Sequence, residues 1–273
     1  MRLAASLAAV RASTRQPHVI VVSDDSTQED ERQRTRQVAE AHRADYVIGP
    51  RRGVCANRNN CLAHVGEATH IQFLDDDCEE PADFIANAER RYAKMSDENA
   101  RRMILVGREI YDDGTESWKY RMTFRGFYAP SATAEIPSCK ATVYPIEAFR
   151  RTRWNENIFY GLEDAELAFQ VKASGFAFEA RADLFVRDLG RGASSLNDRG
   201  GGRVLLAYVS AARMHVGLKR YLVYRRRPEL AVLFFVYANL AIARESARLR
   251  SLSYFFEVYS KANLYRVLQK RGQ

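Results

Sequence analysis

The sequence predicts an α/β fold. Three observations carry that expectation: apolar, β-branched runs alternate with polar helical stretches, two of those runs end on acidic clusters, and the C-terminal region is helical and basic. Of 273 residues 47% are hydrophobic and 28% charged, which excludes a disordered chain, a collagen-like repeat and a disulfide miniprotein. The length suits one large domain or a domain with an appendage.

The elements follow in order. Leu3–Val10 superficially resembles a secretory signal, but Arg11 and Arg15 follow at once, and an amphipathic helix explains the same residues. His18–Ser23 reads as a buried strand ending on Asp24-Asp25-Ser26-Thr27, and Gln28–Arg43 as a helix. Tyr46–Ile48 is a second strand, Gly53–Ala63 a second helix, and Thr69–Leu74 a third strand ending on Asp75-Asp76-Asp77. This β-α-β-α-β order implies right-handed crossovers and a mostly parallel sheet whose ligands bind beyond the carboxyl ends of the strands, where both acidic clusters lie. Pro81–Met95 reads as a helix, Met103–Gly107 as a strand, Asp112-Asp113-Gly114 as a turn, the region of Pro130 and Pro137 as irregular, and Leu162–Ser174 as a helix.

The Gly-rich segment Gly190–Gly202, with Ser194, Ser195, Asn197 and Asp198, fits an active-site loop or a linker. It marks the boundary between a domain over 1–200 and a basic amphipathic helical tail over 201–273. Between Val204 and Gln273 thirteen Lys or Arg face three acids, a net of +10, which leaves −2 of the total +8 for residues 1–203. An anionic partner would therefore meet the tail. The longest charge-free stretch, Leu230–Ala243, has 14 residues against the ~20 that a spanning helix needs, so no membrane crossing is expected. Cys55, Cys61, Cys78 and Cys139 lack CxxC spacing and a companion His, which leaves a reduced, cytoplasmic setting as the expectation.

Four constellations carry chemistry. Asp24-Asp25-Ser26 at a strand end suits recognition of a nucleobase imide or ribose hydroxyls, or is an acidic turn with Ser26 or Thr27 capping a helix. In an extended segment Asp75 and Asp77 point one way and Asp76 the other; three adjacent anions favour a compensating Mg2+ or Mn2+ with substrate phosphates, or form a solvated loop before the Pro81 helix. Arg52-Gly53 to Asn57-Arg58-Asn59 sets a cation one turn inside a helix, as a diphosphate would need, although exposed helix arginines are common. Glu163, Asp164 and Glu166 open a helix, where acids suit either catalysis or the helix dipole.

In that order and spacing these motifs resemble the family 2 inverting glycosyltransferases of GT-A fold, over roughly residues 3–190. The resemblance implies a GT-A type, mostly parallel sheet flanked by helices and followed by the helical tail. It implies that Asp24 or Asp25 contacts the nucleobase, that Arg58 lies near the diphosphate, and that Asp77 ligates Mn2+ or Mg2+ while Asp75 and Asp76 serve ribose and coordination. Glu163 would join the nucleotide-sugar site and Asp164 would be the base. The partners so implied are a nucleotide-diphosphate sugar donor, a glycan or lipid-linked acceptor in cell-surface polysaccharide synthesis, and an anionic membrane surface at the cytoplasmic face; nucleic acid is not expected.

Two departures stand out. Members usually begin with a further β-strand before the helix resembling Leu3–Val10, so the expectation is either a gene start upstream or a sheet short of its first strand with a partly open base pocket. Many relatives also place a metal-binding His where this chain has Val186-Arg187-Asp188, which makes Asp188 a substitute, or leaves coordination to Asp77, phosphates and water. A nucleotidyltransferase would need a basic Gly-rich loop after its first strand, and none is visible. A degenerate transferase-like scaffold docking at membranes through its tail is the other alternative, but it leaves the three acidic clusters unexplained.

Overall fold

A computed structural model describes residues 2–190 and 202–268; the middle of the Gly-rich segment, with Ser194, Ser195, Asn197 and Asp198, lies outside them. The first half runs α1 (Arg2–Arg11), β1 (Val21–Asp24), α2 (Glu29–Ala41), β2 (Asp45–Ile48), α3 (Val54–Leu62), β3 (His70–Gln72), β4 (Cys78–Glu79), α4 (Phe84–Tyr92) and α5 (Asp97–Ala100). The second runs β5 (Met103–Tyr111), β6 (Glu116–Ser117), β7 (Tyr120–Met122), β8 (Tyr128–Pro130), β9 (Thr142–Pro145), α6 (Ile146–Arg151), α7 (Glu163–Ala173) and β10 (Ala177–Asp188). Among the described residues that follow are the helices α8 (Arg203–Lys219), α9 (Pro228–Arg248) and α10 (Leu252–Ala262).

The α/β class is as expected, but the hydrogen-bond pattern is mixed. The central sheet has the order β3-β9-β5-β10-β4 with β6 on β5, and only β10 and β5 pair in parallel. The chain leaves the end of β5, makes the β7–β8 hairpin, and returns as β9 antiparallel between β3 and β5. Parallel β1 and β2 form a separate two-stranded sheet. The free edges of β1 and β3, which have no further partner among the described residues, line one cleft of about 1700 Å3 together with Leu7, Val10, Phe84 and Tyr92.

Apolar burial fixes these layers. Phe73 meets Tyr144, Phe149 and Trp154 edge-on, with ring centroids 6.3, 5.5 and 5.3 Å away. Burying side chains of this size contributes about 1.5–3 kcal/mol each, and the edge-on arrangement matches the ring quadrupoles. Ala212 and Val216 of α8 belong to the same core as Phe73, so the tail packs into the body.

The helix α9 is long and apolar enough, by length and composition, to cross a bilayer, which the charge-free run alone did not suggest. Its Ala231, Phe234, Ala238 and Ile242, however, are buried in a second core with Met214 of α8 and Tyr254 of α10. The opposite face leaves Val232, Leu233, Val236 and Leu240 between 53% and 66% exposed. Tyr221 and Tyr254 are buried away from that face; the Tyr254 hydroxyl pairs with Ser210 at 2.9 Å and Tyr259 donates to Asn239.

Candidate active site

The first acidic cluster is partly self-satisfied. The carboxylate of Asp24 is buried, accepting from the Ser26 amide at 2.8 Å and the Tyr46 hydroxyl at 3.1 Å. Neither Ser26 nor Thr27 caps α2, whose N-cap position is Gln28. Asp25 accepts from the Arg51 amide at 2.8 Å, and burial, then Asp24, raises its pKa. A Cβ on Gly49 would run into the Asp25 carboxylate and come within 2.6 Å of Asn57, so this approach needs glycine.

Polar residues of α3 aim Arg58. Asn57 donates to the Ser23 carbonyl at 3.0 Å and Asn60 to the Ser23 hydroxyl at 2.8 Å, tying the helix to β1. On the neighbouring side Asn59 donates to the Trp154 carbonyl at 2.9 Å and accepts from its amide at 3.0 Å. Arg58 is thereby held over the buried Trp154 ring, 4.7 Å from its centroid. The amino end of α3 is less open than the sequence suggested, because Val54 donates to the Phe159 carbonyl at 3.0 Å and Gly53, at φ 96°, fits closely against Phe159.

The second cluster is a turn, not an extended strand: β3 ends at Gln72, and the Cys78 amide donates to the Asp75 carbonyl at 3.1 Å. Asp75 and Asp77 therefore serve different neighbours. Asp75 accepts from Arg58 at 3.3 Å. Asp76 is exposed, its backbone carbonyl taking the Ser6 hydroxyl at 3.0 Å. Asp77, 3.6 Å from Arg2, lies beside Cys78 and Asp188, with one ligand atom of each of the three within 4.8 Å of the others. Burial, then Asp188, pushes the Asp77 carboxyl up. A Cβ on Gly190 would run into Asp77, so glycine keeps this corner clear.

The donor set tests the expected metal. Burial raises the Cys78 thiol well above its ordinary value, and a soft sulfur ligand suits a hard Mn2+ or Mg2+ less well than oxygen does. Asp77 and Asp188 remain, two carboxylates that suit a hard divalent cation with most positions left for phosphate and water. Asp188 lies beside Asp77, but it also bonds Lys140, which lies 3.6 Å from the buried Glu109. Neither Lys140 nor Glu109 was singled out in the sequence; both come from the stretch around β5 and β9, where only the fold brings them beside β10.

The third cluster joins the second through Arg58. Leu162, in the left-handed region at φ 57°, ends the turn that starts α7, a conformation costing on the order of 1 kcal/mol for such a residue. Directly after it, Glu163 and Asp164 lie 3.6 and 3.8 Å from the same guanidinium that bonds Asp75. Arg58 Nη1, Glu163 Oε2 and Asp164 Oδ1 are buried atoms with no hydrogen-bond partner among the described residues. Burial pushes Asp164 up to about 7, against Arg58, which lowers it, and with Glu163, which adds to the rise. An acid so poised can take a proton near neutral pH.

Arg58 thus draws together the acid after β3 and the acids that open α7 in a mixed α/β sheet, and the fold is that of GT-A proteins. The family model for glycosyl transferase family 2 matches residues 2–161, and the chain belongs to that family. Two solved structures share the fold. One, GalNAc-T7 with UDP, GalNAc and Mn2+, is 14% identical with a TM-score of 0.56, covering 85% of this chain and 51% of that one, so the chain spans about half its length. The other, the mannosyltransferase PcManGT from Pyrobaculum calidifontis in complex with GDP-Man and Mn2+, is 16% identical with a TM-score of 0.51, covering 97% of this chain and 81% of that one. No curated protein matches the sequence.

Proposed function

We propose that the chain transfers a sugar, with inversion, from a nucleotide-diphosphate sugar to a hydroxyl of a glycan or lipid-linked acceptor in cell-surface polysaccharide synthesis. The convergence of Asp75, Glu163 and Asp164 on Arg58 carries this reading. Arg58 faces the departing diphosphate and offsets its charge. Asp25, less enclosed than Asp24, receives the nucleobase, with Asp24 shaping the turn beneath it. Asp75 and Asp76 border the ribose, and Glu163 holds the donor sugar through its unpaired oxygen.

Asp164 accepts the proton of the acceptor hydroxyl as that oxygen bonds to the anomeric carbon. The bond from that carbon to the diphosphate oxygen breaks, and its electron pair leaves with the nucleoside diphosphate. Asp77 and Asp188, with Asp75 nearby, would hold Mn2+ or Mg2+, which when bound supplies positive charge to the diphosphate. Both structural relatives contain Mn2+.

The exposed face of α9 supports peripheral docking on an anionic membrane at the cytoplasmic side. Exposed Arg225, Arg226 and Arg227 precede its apolar residues, and exposed Arg244, Arg248 and Arg250 follow them. Each such cation contributes on the order of 1 kcal/mol beside anionic lipid, and the apolar face enters the interface without spanning it. Calorimetric titration with UDP and GDP, with and without Mn2+, tests the transferase reading. Binding of one of them only with the metal supports it; no binding of either under any condition favours the degenerate scaffold.

A further inference from the structure

The helix that carries Asp164 is gripped from behind by the C-terminal helices. Glu166, two residues after Asp164, is fully buried, and its Oε1 accepts from Lys219 Nζ at 2.5 Å and from the Tyr224 hydroxyl at 2.7 Å. Its other oxygen accepts from Gln170. Lys219 is only 5% exposed. Lys219 is the last residue of α8, and the π-turn Arg220–Tyr224 that follows brings Tyr224 back to the same carboxylate.

The loop before α7 is held by the same helices. His215 pairs with Asn155 at 3.2 Å and with the Ala262 carbonyl at 2.9 Å. Asn263 donates to the Asn157 carbonyl at 3.0 Å, and Tyr208 stacks on Phe159 at 4.3 Å.

Buried ion pairs often contribute no more stability than well-packed apolar residues of similar volume, so the Glu166–Lys219 pair is weak evidence of a purely stabilising role. Residues two apart on a helix point to nearly opposite sides, so a clamp on Glu166 sets how Asp164 faces the cleft. We propose that Lys219 and Tyr224 are positioning residues: by holding Glu166 they fix the rotation of α7 and thereby the placement of Asp164 and Glu163 against Arg58. This rests on the transferase reading for its kinetic consequence, but not for its structural one.

The test uses the full chain as Tyr224→Phe and Lys219→Met, together with the double variant Glu166→Leu/Lys219→Leu, which removes the ion pair without leaving a buried charge. Turnover is followed with whichever UDP- or GDP-sugar the unmodified chain consumes, alongside UDP or GDP affinity with Mn2+. Hydrogen exchange is measured over residues 158–166 and over β5. A misplacement of about 1 Å lowers kcat by about 100-fold, and nucleotide affinity should stay within about twofold. Exchange over residues 158–166 should speed up at least about tenfold while β5 is unchanged. The double variant, if folded, should show the kinetic loss with no unpaired charge left in the interior, although Tyr224 and Gln170 each lose an acceptor. Wild-type kcat and unchanged exchange in Tyr224→Phe and the double variant would overturn the proposal. If the unmodified chain turns over no sugar nucleotide, the transferase reading fails, and unaltered exchange over residues 158–166 still overturns the positioning role.

Discussion

Arg58 Nη1 lies 3.8 Å from Asp164 Oδ1, too far for a hydrogen bond and close enough for each charge to set the other's behaviour. Because Arg58 also bonds Asp75 at 3.3 Å, it couples the acids at the end of β3 to the acids that open α7. Arg58→Met, which fills similar space over Trp154, should weaken nucleoside diphosphate binding by roughly 10- to 100-fold, the about 1.5–3 kcal/mol of a hydrogen bond to a charged group. Calorimetry with UDP or GDP and Mn2+ checks this. Affinity equal to that of the unmodified chain would remove Arg58 from the diphosphate site.

The same pair predicts a pH dependence. As a base Asp164 must be deprotonated, so kcat should rise with pH through a value near 7 and fall below it. Arg58 lowers that value, so Arg58→Met should move the acidic limb upward. Asp164→Asn should keep donor binding, lose kcat by about 10²- to 10⁴-fold and abolish the limb. Near wild-type turnover in Asp164→Asn would reduce this acid to a helix-terminus charge.

At the other end of the cleft, Asp77→Ala should remove the part of nucleotide affinity that depends on Mn2+, whereas Asp76→Ala, at an exposed side chain, should leave most of it. Asp188→Asn should weaken metal dependence too, because the amide is a poorer ligand beside Asp77. Titrating each variant with Mn2+ at fixed nucleotide separates these outcomes, and unchanged metal dependence in both Asp77→Ala and Asp188→Asn would move the cation elsewhere.

How much of this was legible in the sequence follows from the range of the interactions. The runs that became β1, β2 and β3 and the helices between them show in β-branched stretches and acidic ends, because local periodicity writes them. The antiparallel return of β9 and the β7–β8 hairpin do not show: two prolines obscure the region, and the strands are short. The three acidic clusters could be named, but not their division of labour. The turn at Asp75–Asp77 separates residues that an extended reading would align, and Asp24 is drawn inward by Tyr46. The tail's basic charge is plain in the composition. Its grip on α7 through Lys219 and Glu166 joins residues far apart in sequence that only folding brings together.

The exposed face of α9 gives a further prediction. Val236→Asp with Leu240→Asp should abolish flotation with anionic vesicles, since both side chains point to solvent and a carboxylate there repels the leaflet. Folding stability should change by no more than about 0.5 kcal/mol, as is usual for exposed positions. The unmodified chain should float with anionic vesicles, less so at high salt, and not with neutral ones. Flotation of the double variant equal to that of the unmodified chain would show that this face is not the docking surface.

Incubating the chain with Mn2+ and α-linked UDP- and GDP-sugars and following the anomeric proton signals by NMR decides whether sugar transfer is direct and inverting with Asp164 as base. The nucleoside diphosphate should be released with a β-configured first product, and neither should appear with Asp164→Asn. A first product that keeps the α configuration, or equal turnover by the Asp164→Asn variant, would contradict that assignment.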